Sequence, residues 1–306
     1  MVHAADRLAA AINRSGSPVC VGLDPVLDKL PDIVRAAHLE PVAAIKDFSL
    51  SVLRALAGPP NAPAPLAPAV KFQSACYERY GSPGVAALET CIAAARELNL
   101  IVVLDAKRGD IGISAEHYAA SAFGRMHADW LTVSPYLGPD TLEPYLTAAA
   151  NPNSARGIFV LVRTSNPGSD AFQGQQLADG RTIAALMADA VAKLGQSGPG
   201  TLGISGLSNV GAVVGATKAS DAAALRERMP NAVLLIPGYG AQGGTAADIQ
   251  AMLRPNFDRA NPGTSGVLVT ASRSVIYAFT PAQTDWHAAV AAAATKLAGE
   301  IRTIIS

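Results

Sequence analysis

The sequence predicts an α/β protein of the (β/α)8 type, a TIM barrel, forming a single domain over residues 1–306 with additional helix at both ends. Two observations support this fold class. Eight short apolar runs rich in β-branched residues recur along the chain, and stretches of helical periodicity separate them. Because uninterrupted apolar strands that alternate with helices form a parallel sheet buried on both faces, eight such units fit a closed barrel. A doubly wound open sheet is the alternative.

The elements follow one another regularly. The helical stretches between strands are rich in alanine and leucine, as in VAALETCIAAARELN and TIAALMADAVAKL. Ahead of the first strand, MVHAADRLAAAINRSGSP carries charges among apolar residues, which predicts an amphipathic helix rather than a secretory signal peptide. In chain order the predicted strands cover residues 19–24, 68–72, 100–105, 130–136, 158–164, 210–217, 232–237 and 266–272.

Two connecting segments differ from the rest. The proline-rich segment 58–68 lies inside the crossover from the first strand to the second, which predicts a loop at the far end of the barrel rather than a domain linker. The polar segment 165–181 follows the fifth strand on the catalytic face, and its length predicts a lid. The longest uncharged stretch, 194–217, is interrupted by glycines and serines and would not span a bilayer.

The overall composition excludes several classes of function. Half of the residues are apolar and the formal net charge is zero, so neither nucleic acid nor a membrane surface is expected as a partner. Three cysteines without paired spacing and five histidines without metal-ligand spacing predict neither a disulfide framework nor a metal site. The simplest location for such a chain is a reducing cytoplasm.

Charged residues gather at the ends of the first three predicted strands. Asp105, Lys107 and Asp110 follow the third strand, while the first ends in Asp24 and the second in Lys71. Residues two apart on a strand share a face, so Asp105 and Lys107 are expected to project together into the mouth of the barrel. Taken singly, Asp110 could cap the next helix, Asp24 could form a turn before proline, and Lys71 could extend along the surface. Together they predict alternating carboxylates and ammonium groups around one rim.

This array favours one role for Lys107. Flanking carboxylates stabilise the charged form of a lysine, which suits a proton donor. A lysine that forms a Schiff base would instead have to be neutral, a state that the two neighbouring aspartates oppose. Asp105 would repel a substrate carboxylate until that carboxylate leaves.

The opposite side of the predicted rim is suited to an anion. The segment 236–248 has four glycines around Gln242, and Thr245 and Asp248 follow at the spacing of a capping box. Glycines let backbone amides approach a ligand, and a helix N-terminus offers free N–H groups. The eighth strand then places Arg273 where its guanidinium can grip a phosphate. The glycine-rich segment alone could be a simple turn, but with Arg273 in the next unit it predicts a phosphate site.

The motifs that carry these residues resemble those of the orotidine 5'-phosphate decarboxylase family, in its longer, bacterial-type branch. LDAKRGDI at 104–111 is similar to that family's Asp-x-Lys-x-x-Asp signature. The resemblance implies a barrel that converts orotidine 5'-monophosphate to uridine 5'-monophosphate and CO2, the last step of de novo pyrimidine synthesis, with no metal or organic cofactor. The other similar segments are VGLDP (21–25), VKFQSACYERYG (70–81), VRTSNPGS (162–169), PGYGAQGG (237–244) and TASRSVIY (270–277).

The resemblance also implies roles for individual residues. Asp105 would lie beside the leaving carboxylate, and Lys107 would protonate C6 of the pyrimidine. Lys71 and Asp24 would hold the ribose hydroxyls and complete the charge network, while Asp110 would be contributed across the interface of a homodimer. The substrate-binding residues would be Ile111 in the pyrimidine pocket, Ser114 (where threonine is more usual) at the ribose, Ser165 at the pyrimidine amide, Pro237 in the pocket nearby, and Gln242, Gly243 and Arg273 at the phosphate.

Two other functions compete with this interpretation. Magnesium-dependent sugar-phosphate decarboxylases and aldolases share the Asp-x-Lys-x-x-Asp strand but carry a metal-binding glutamate at the end of the second strand. Lys71 occupies that position here, and its charge would repel Mg²⁺. A non-catalytic barrel that binds a phosphate ligand would account for Gln242 and Arg273 but would leave Asp105 and Lys107 without a task.

Overall fold

Eight parallel strands close into a barrel in the computed structural model, which describes residues 3–59, 62–150, 155–196, 202–216, 219–240 and 243–306. Each strand pairs with its neighbours in chain order, and the first pairs with the eighth to close the ring. The predicted fold class is therefore confirmed, and the open sheet is wrong. The strands are β1 (Val19–Leu23), β2 (Ala69–Gln73), β3 (Ile101–Arg108), β4 (Trp130–Val133), β5 (Gly157–Arg163), β6 (Val210–Val214), β7 (Leu234–Pro237) and β8 (Val267–Ala271).

Helices surround the barrel and form both ends of the described chain, as predicted. A π-helical segment, Ala120–Arg125, continues the sixth helix. None of the described helices combines the length and the apolar character needed to cross a bilayer. The helices are α1 (Ala4–Ser15), α2 (Asp32–Ala37), α3 (Pro41–Ala57), α4 (Ala75–Glu78), α5 (Gly81–Glu97), α6 (Gly112–Ala119), α7 (Glu143–Ala149), α8 (Asp170–Gln173), α9 (Ile183–Leu194), α10 (Ala219–Arg228), α11 (Ala246–Ala251), α12 (Arg273–Ile276) and α13 (Trp286–Ile305).

The residues that face the barrel interior change from apolar to polar toward the carboxyl ends of the strands. On β2, Ala69 belongs to the buried apolar cluster inside the barrel, whereas Lys71 lines the cavity at the mouth. On β3, Val103 and Asp105 repeat this order. Because residues two apart on a strand share a face, a charge two positions after a buried apolar residue points into the same barrel. Strand periodicity thus gathers the polar groups at one end.

The other end of the barrel is closed by α1. Leu8 and Ile12 of this helix are buried in the same cluster as Trp130 and Phe159, whose rings stack 4.5 Å apart inside the barrel. Gly157 makes room for this packing, since a Cβ atom there would lie 2.5 Å from the Trp130 ring. The predicted amphipathic helix therefore serves as the floor of the barrel.

Strand β3 is longer and less regular than the sequence predicts. It continues through Lys107 and Arg108, three residues beyond the predicted end at Asp105. Its pairing with β4 shifts register between Leu104 and Arg108, and Lys107 adopts a left-handed conformation with φ of 46°. The apolar run in the sequence ends at Leu104. Hydrophobic periodicity therefore could not predict that β3 continues to Arg108.

The two unusual connections lie where the sequence places them. The described parts of the proline-rich segment, 58–59 and 62–68, lie between α3 and β2 at the end of the barrel that α1 closes. The segment 165–181 follows β5 at the opposite end and contains α8. An isolated antiparallel bridge between Gln176 and Thr182 adds further structure to its second half. This connection is therefore an organised element rather than an unstructured loop.

Candidate active site

A cavity of about 560 Å³ lies at the carboxyl ends of the strands. Strands β2 and β3 and the residue after β1 contribute charged side chains to one side of it. The loops after β5, β7 and β8 form the other side. Predicted site residues that line the cavity are Asp24, Lys71, Asp105, Lys107, Ser165, Pro237 and Arg273.

Asp105 joins two lysines at the bottom of this cavity. Its Oδ1 lies 2.6 Å from Nζ of Lys107, and its Oδ2 lies 2.9 Å from Nζ of Lys71. Asp24 approaches the same Lys71 ammonium at 3.5 Å. The predicted alternation of carboxylates and ammonium groups is therefore present as one continuous network. Lys71 is only 6% exposed, so its alternative role as a surface lysine is wrong.

The network fixes the charge states of its buried members. Burial alone would raise the pKa of Asp105, but the ammonium groups of Lys71 and Lys107 hold that pKa far below its ordinary value. Burial would likewise lower the pKa of Lys71, but Asp105 and Asp24 raise it well above the ordinary lysine value. Both groups are consequently charged throughout the physiological pH range.

Two neutral side chains complete the surroundings of Asp105. The Thr132 hydroxyl on β4 donates a hydrogen bond of 2.9 Å to Oδ1 of Asp105 and accepts one of 3.0 Å from the backbone N–H of Lys107. Gln73, which pairs with Asp105 across β2 and β3, lies 3.5 Å from Oδ2. Sequence analysis missed both residues. Each follows a barrel-facing residue by two positions, and this is the signal that could have identified them.

The connection after β5 is tied down beside the cavity. Arg163, buried at the end of β5, donates a hydrogen bond of 2.7 Å to Asp221 on α10 and forms an ion pair with Asp170 at the start of α8. The side-chain amide of Gln173 closes the loop by accepting from the Thr164 N–H at 2.8 Å and donating to the Thr164 hydroxyl at 2.9 Å. Ser165 is thereby presented to the cavity.

The predicted phosphate end lies across the cavity from the lysines. Arg273 is the first residue of α12 and lines the cavity between Ser272 and Ser274. The capping box of Thr245 and Asp248 is confirmed at the start of α11. Of the two residues predicted in the preceding glycine-rich segment, Gln242 lies outside the described residues. Gly243 has φ of 91°, a left-handed conformation that favours glycine.

Four of the predicted site residues that the structure describes do not line this cavity, Gly243 after β7 and three residues after β3. Asp110, Ile111 and Ser114 do not line it in the described part of the chain. The Asp110 carboxylate accepts a hydrogen bond of 2.8 Å from the N–H of Ile111 rather than capping α6. Ile111 is 62% exposed, which is unusual for isoleucine. It is one of six exposed large apolar residues that follow β3, β4 and β5 in the chain, and we call them together the rim patch: Ile111, Ile113, Tyr118, Tyr136, Leu137 and Phe172.

A second kind of site could draw on the histidines and cysteines among the residues that the structure describes. Within the described ranges, no three His, Cys, Asp or Glu side chains come together in an arrangement that could hold a metal ion. His117 is exposed on α6. Burial raises the pKa of the Cys20 thiol to about 12, which disfavours the nucleophilic thiolate form. The chemistry of the cavity thus rests on carboxylates and ammonium groups.

Comparison with known proteins agrees with the geometry. The chain is 39% identical over 314 residues to orotidine 5'-phosphate decarboxylase of Rhodopirellula baltica, which covers 99% of this chain and 100% of that protein. It is 43% identical over 261 residues to the enzyme of the same name from Deinococcus radiodurans, covering 85% and 84% of the two chains. The structure of OMP decarboxylase from Leishmania donovani matches with a TM-score of 0.77 and 32% identity over 99% of both chains.

The chain also matches the model of a whole protein family. The model of the orotidine 5'-phosphate decarboxylase / HUMPS family matches residues 61–284, which include β2 through β8. The matched region contains the lysine-rich side of the cavity and the arginine at its opposite side. The chain therefore belongs to the orotidine 5'-phosphate decarboxylase family.

Proposed function

We propose that this chain is a carboxy-lyase that converts orotidine 5'-monophosphate to uridine 5'-monophosphate and CO2, in de novo pyrimidine synthesis. One observation carries the proposal beyond family membership. The cavity holds a buried carboxylate between two ammonium groups on one side and an arginine on the other. A nucleotide with a carboxylate on its base and a phosphate on its ribose could place the carboxylate near the lysines and the phosphate near Arg273.

Lys107 acts as the proton donor in this proposal. The bond between C6 and the carboxylate breaks, its electron pair stays on C6, and CO2 leaves. One proton then passes from the Lys107 ammonium to C6, and the neutral amine recovers a proton from water. An ammonium held in place before the reaction stabilises negative charge on carbon more effectively than water, which must reorient. The contact with Asp105 aims the Lys107 ammonium before substrate arrives.

The remaining predicted residues bind the nucleotide in this proposal. Arg273 and Gln242 hold the phosphate. Gly243 has no side chain, so the phosphate can approach its backbone N–H. Lys71 and Asp24 hold the ribose hydroxyls, and the ammonium groups of Lys71 and Lys107 keep Asp105 ionised. Ser165 and Pro237, which line the far side of the cavity, contact the pyrimidine in this proposal. Binding free energy from the phosphate, remote from C6, would favour closure of the 165–181 segment over the base.

The metal-dependent alternative is disfavoured by the second strand. Lys71 is buried and paired with Asp105, so its ammonium occupies the place where a carboxylate would have to bind Mg²⁺. Its raised pKa keeps that ammonium charged. A sugar-phosphate decarboxylase or aldolase that requires Mg²⁺ is therefore the less favourable reading of the same barrel.

Removal of divalent cations is expected to leave the activity unchanged. Because the proposal assigns charge stabilisation to Lys107, excess chelator should not alter turnover. The measurement follows the change in pyrimidine absorbance with purified protein before and after chelation. Loss of activity that returns when Mg²⁺ is added back would contradict the metal-free mechanism and favour the alternative above.

We further propose that the active unit is a cytoplasmic homodimer. Asp110, Ile111 and Ser114 follow β3 without lining the chain's own cavity, which supports the proposal that they serve the cavity of a second copy. The rim patch supplies exposed apolar side chains for such an interface, since exposed apolar surface often marks a contact site. A two-fold dimer would bring each Asp110 to the partner's Lys107.

Mixing two inactive variants tests this arrangement. In a heterodimer of Lys107→Ala and Asp110→Ala chains, one cavity has both residues intact and the other has neither. An equal mixture after full exchange should therefore recover about one quarter of wild-type activity. The same mixture assayed before exchange is the control. Absence of recovery, with exchange demonstrated by native mass spectrometry, would mean that Asp110 serves the cavity of its own chain.

A further inference from the structure

Thr132 lies next to Asp105 and Lys107 and forms hydrogen bonds with both residues. It lies on β4, is buried, and follows Trp130 on the inward face of the barrel. Its hydroxyl has two partners on the neighbouring strand. It donates to the Asp105 carboxylate at 2.9 Å and accepts from the Lys107 N–H at 3.0 Å. One small side chain therefore joins the carboxylate of one residue to the backbone of the other.

The backbone at Lys107 needs such support. Lys107 has φ of 46°, in the left-handed region that side chains other than glycine rarely adopt, at the point where β3 and β4 change register. In this conformation the Lys107 N–H forms its hydrogen bond with the Thr132 hydroxyl. The same conformation turns the Lys107 side chain back so that its Nζ reaches Oδ1 of Asp105.

We propose that Thr132 is a positioning residue that sets the direction of the Lys107 ammonium and the rotation of the Asp105 carboxylate. The inference rests on the proposed decarboxylation, in which Lys107 delivers the proton. The hydroxyl locks both groups through one hydrogen-bond chain, from the Lys107 N–H through Thr132 to Asp105. The proposed phosphate contacts lie across the cavity, so Thr132 acts mainly on the chemical step and little on nucleotide affinity.

A substitution that keeps the shape and removes the hydroxyl isolates this role. In Thr132→Val the side chain has the same branching, but the Lys107 N–H and one Asp105 oxygen each lose a partner. A small misplacement of a reacting group can cost on the order of 10²-fold in rate. We expect kcat to fall by about that factor. The KM for orotidine 5'-monophosphate and the affinity for uridine 5'-monophosphate should stay nearly unchanged.

Thr132→Ser is the matched control because it restores the hydroxyl and removes only a methyl group. It should recover most of the wild-type kcat. A Thr132→Val enzyme with wild-type kcat would overturn the proposal, as would an equal loss in kcat and nucleotide affinity that serine does not restore. If Thr132→Val fails to fold, Thr132→Ala provides the same comparison with serine. A wild-type protein without decarboxylase activity would instead refute the proposed function itself.

Discussion

Replacement of Lys107 by alanine is expected to abolish turnover while leaving nucleotide binding largely intact. The variant lacks both the proton donor and the ammonium that stabilises charge on C6, so kcat should fall by at least ~10³-fold. The phosphate side of the cavity lies across from Lys107 and is not altered. Turnover is measured by pyrimidine absorbance, and binding of uridine 5'-monophosphate by titration calorimetry.

A lysine far from the cavity provides the control for this experiment. Lys296 on α13 is 80% exposed in its side chain and pairs only loosely, at 4.0 Å, with Glu300. Lys296→Ala should keep wild-type activity and affinity. If Lys107→Ala retained substantial turnover, the proton donor would have to be another group, and the buried Lys71 would be the next residue to test.

Replacement of Asp105 by asparagine is expected to reduce both activity and stability. The change keeps the shape of the side chain but removes the charge that Lys71 and Lys107 share. Lys71 would then be buried with Asp24 at 3.5 Å as its remaining anionic neighbour in the network. Breaking a buried ion pair on one side costs about 3 kcal/mol or more. We also expect kcat to fall on the order of 10²-fold, because the Lys107 ammonium loses the carboxylate that holds it in position.

The stability loss should depend on pH in a definite direction. The folded-state pKa of Asp105 is depressed, so its contribution to the free energy of unfolding is complete above the pKa of the unfolded carboxyl, about 4. That contribution is lost as the pH falls from there toward the folded-state pKa. Urea unfolding should therefore show a gap between wild type and Asp105→Asn that is widest near neutral pH and narrows in acid.

An exposed aspartate serves as the control for the pH series. Asp32 on α2 pairs with Arg35, and both side chains are substantially exposed. Asp32→Asn should change the free energy of unfolding little at any pH, because exposed pairs contribute little. A gap for Asp105→Asn that widened as the pH fell would show that the carboxyl is not ionised in the folded protein.

Most of the fold could be predicted from the sequence because it depends on local patterns. Apolar strands alternating with helices repeat eight times, and this repetition is visible in the sequence. The predicted ends of the strands were less accurate. β4 stops at Val133, three residues before the predicted end, because Pro135 cannot donate a hydrogen bond to a neighbouring strand. The extension of β3 to Arg108 depends on pairing with β4, a long-range contact that periodicity does not contain.

The charged part of the site was predictable for the same reason, and its neutral part was not. Asp105 and Lys71 are conspicuous because charges are rare at the ends of buried strands. Thr132 is a single hydroxyl within an apolar run, a pattern that also occurs in ordinary strands. Its importance arises from the left-handed backbone at Lys107, which alternation along a strand does not predict.

The helix that seals the lower end of the barrel has a consequence for product release. Among the described residues, α1 and the stacked rings of Trp130 and Phe159 fill the interior below the charged network. Gas formed beside Asp105 and the nucleotide left behind must then depart through the same upper opening. CO2 is small enough to pass a bound nucleotide, whereas the nucleotide leaves only after the proposed closure of the 165–181 segment has reversed. The order of departure is thus set by size.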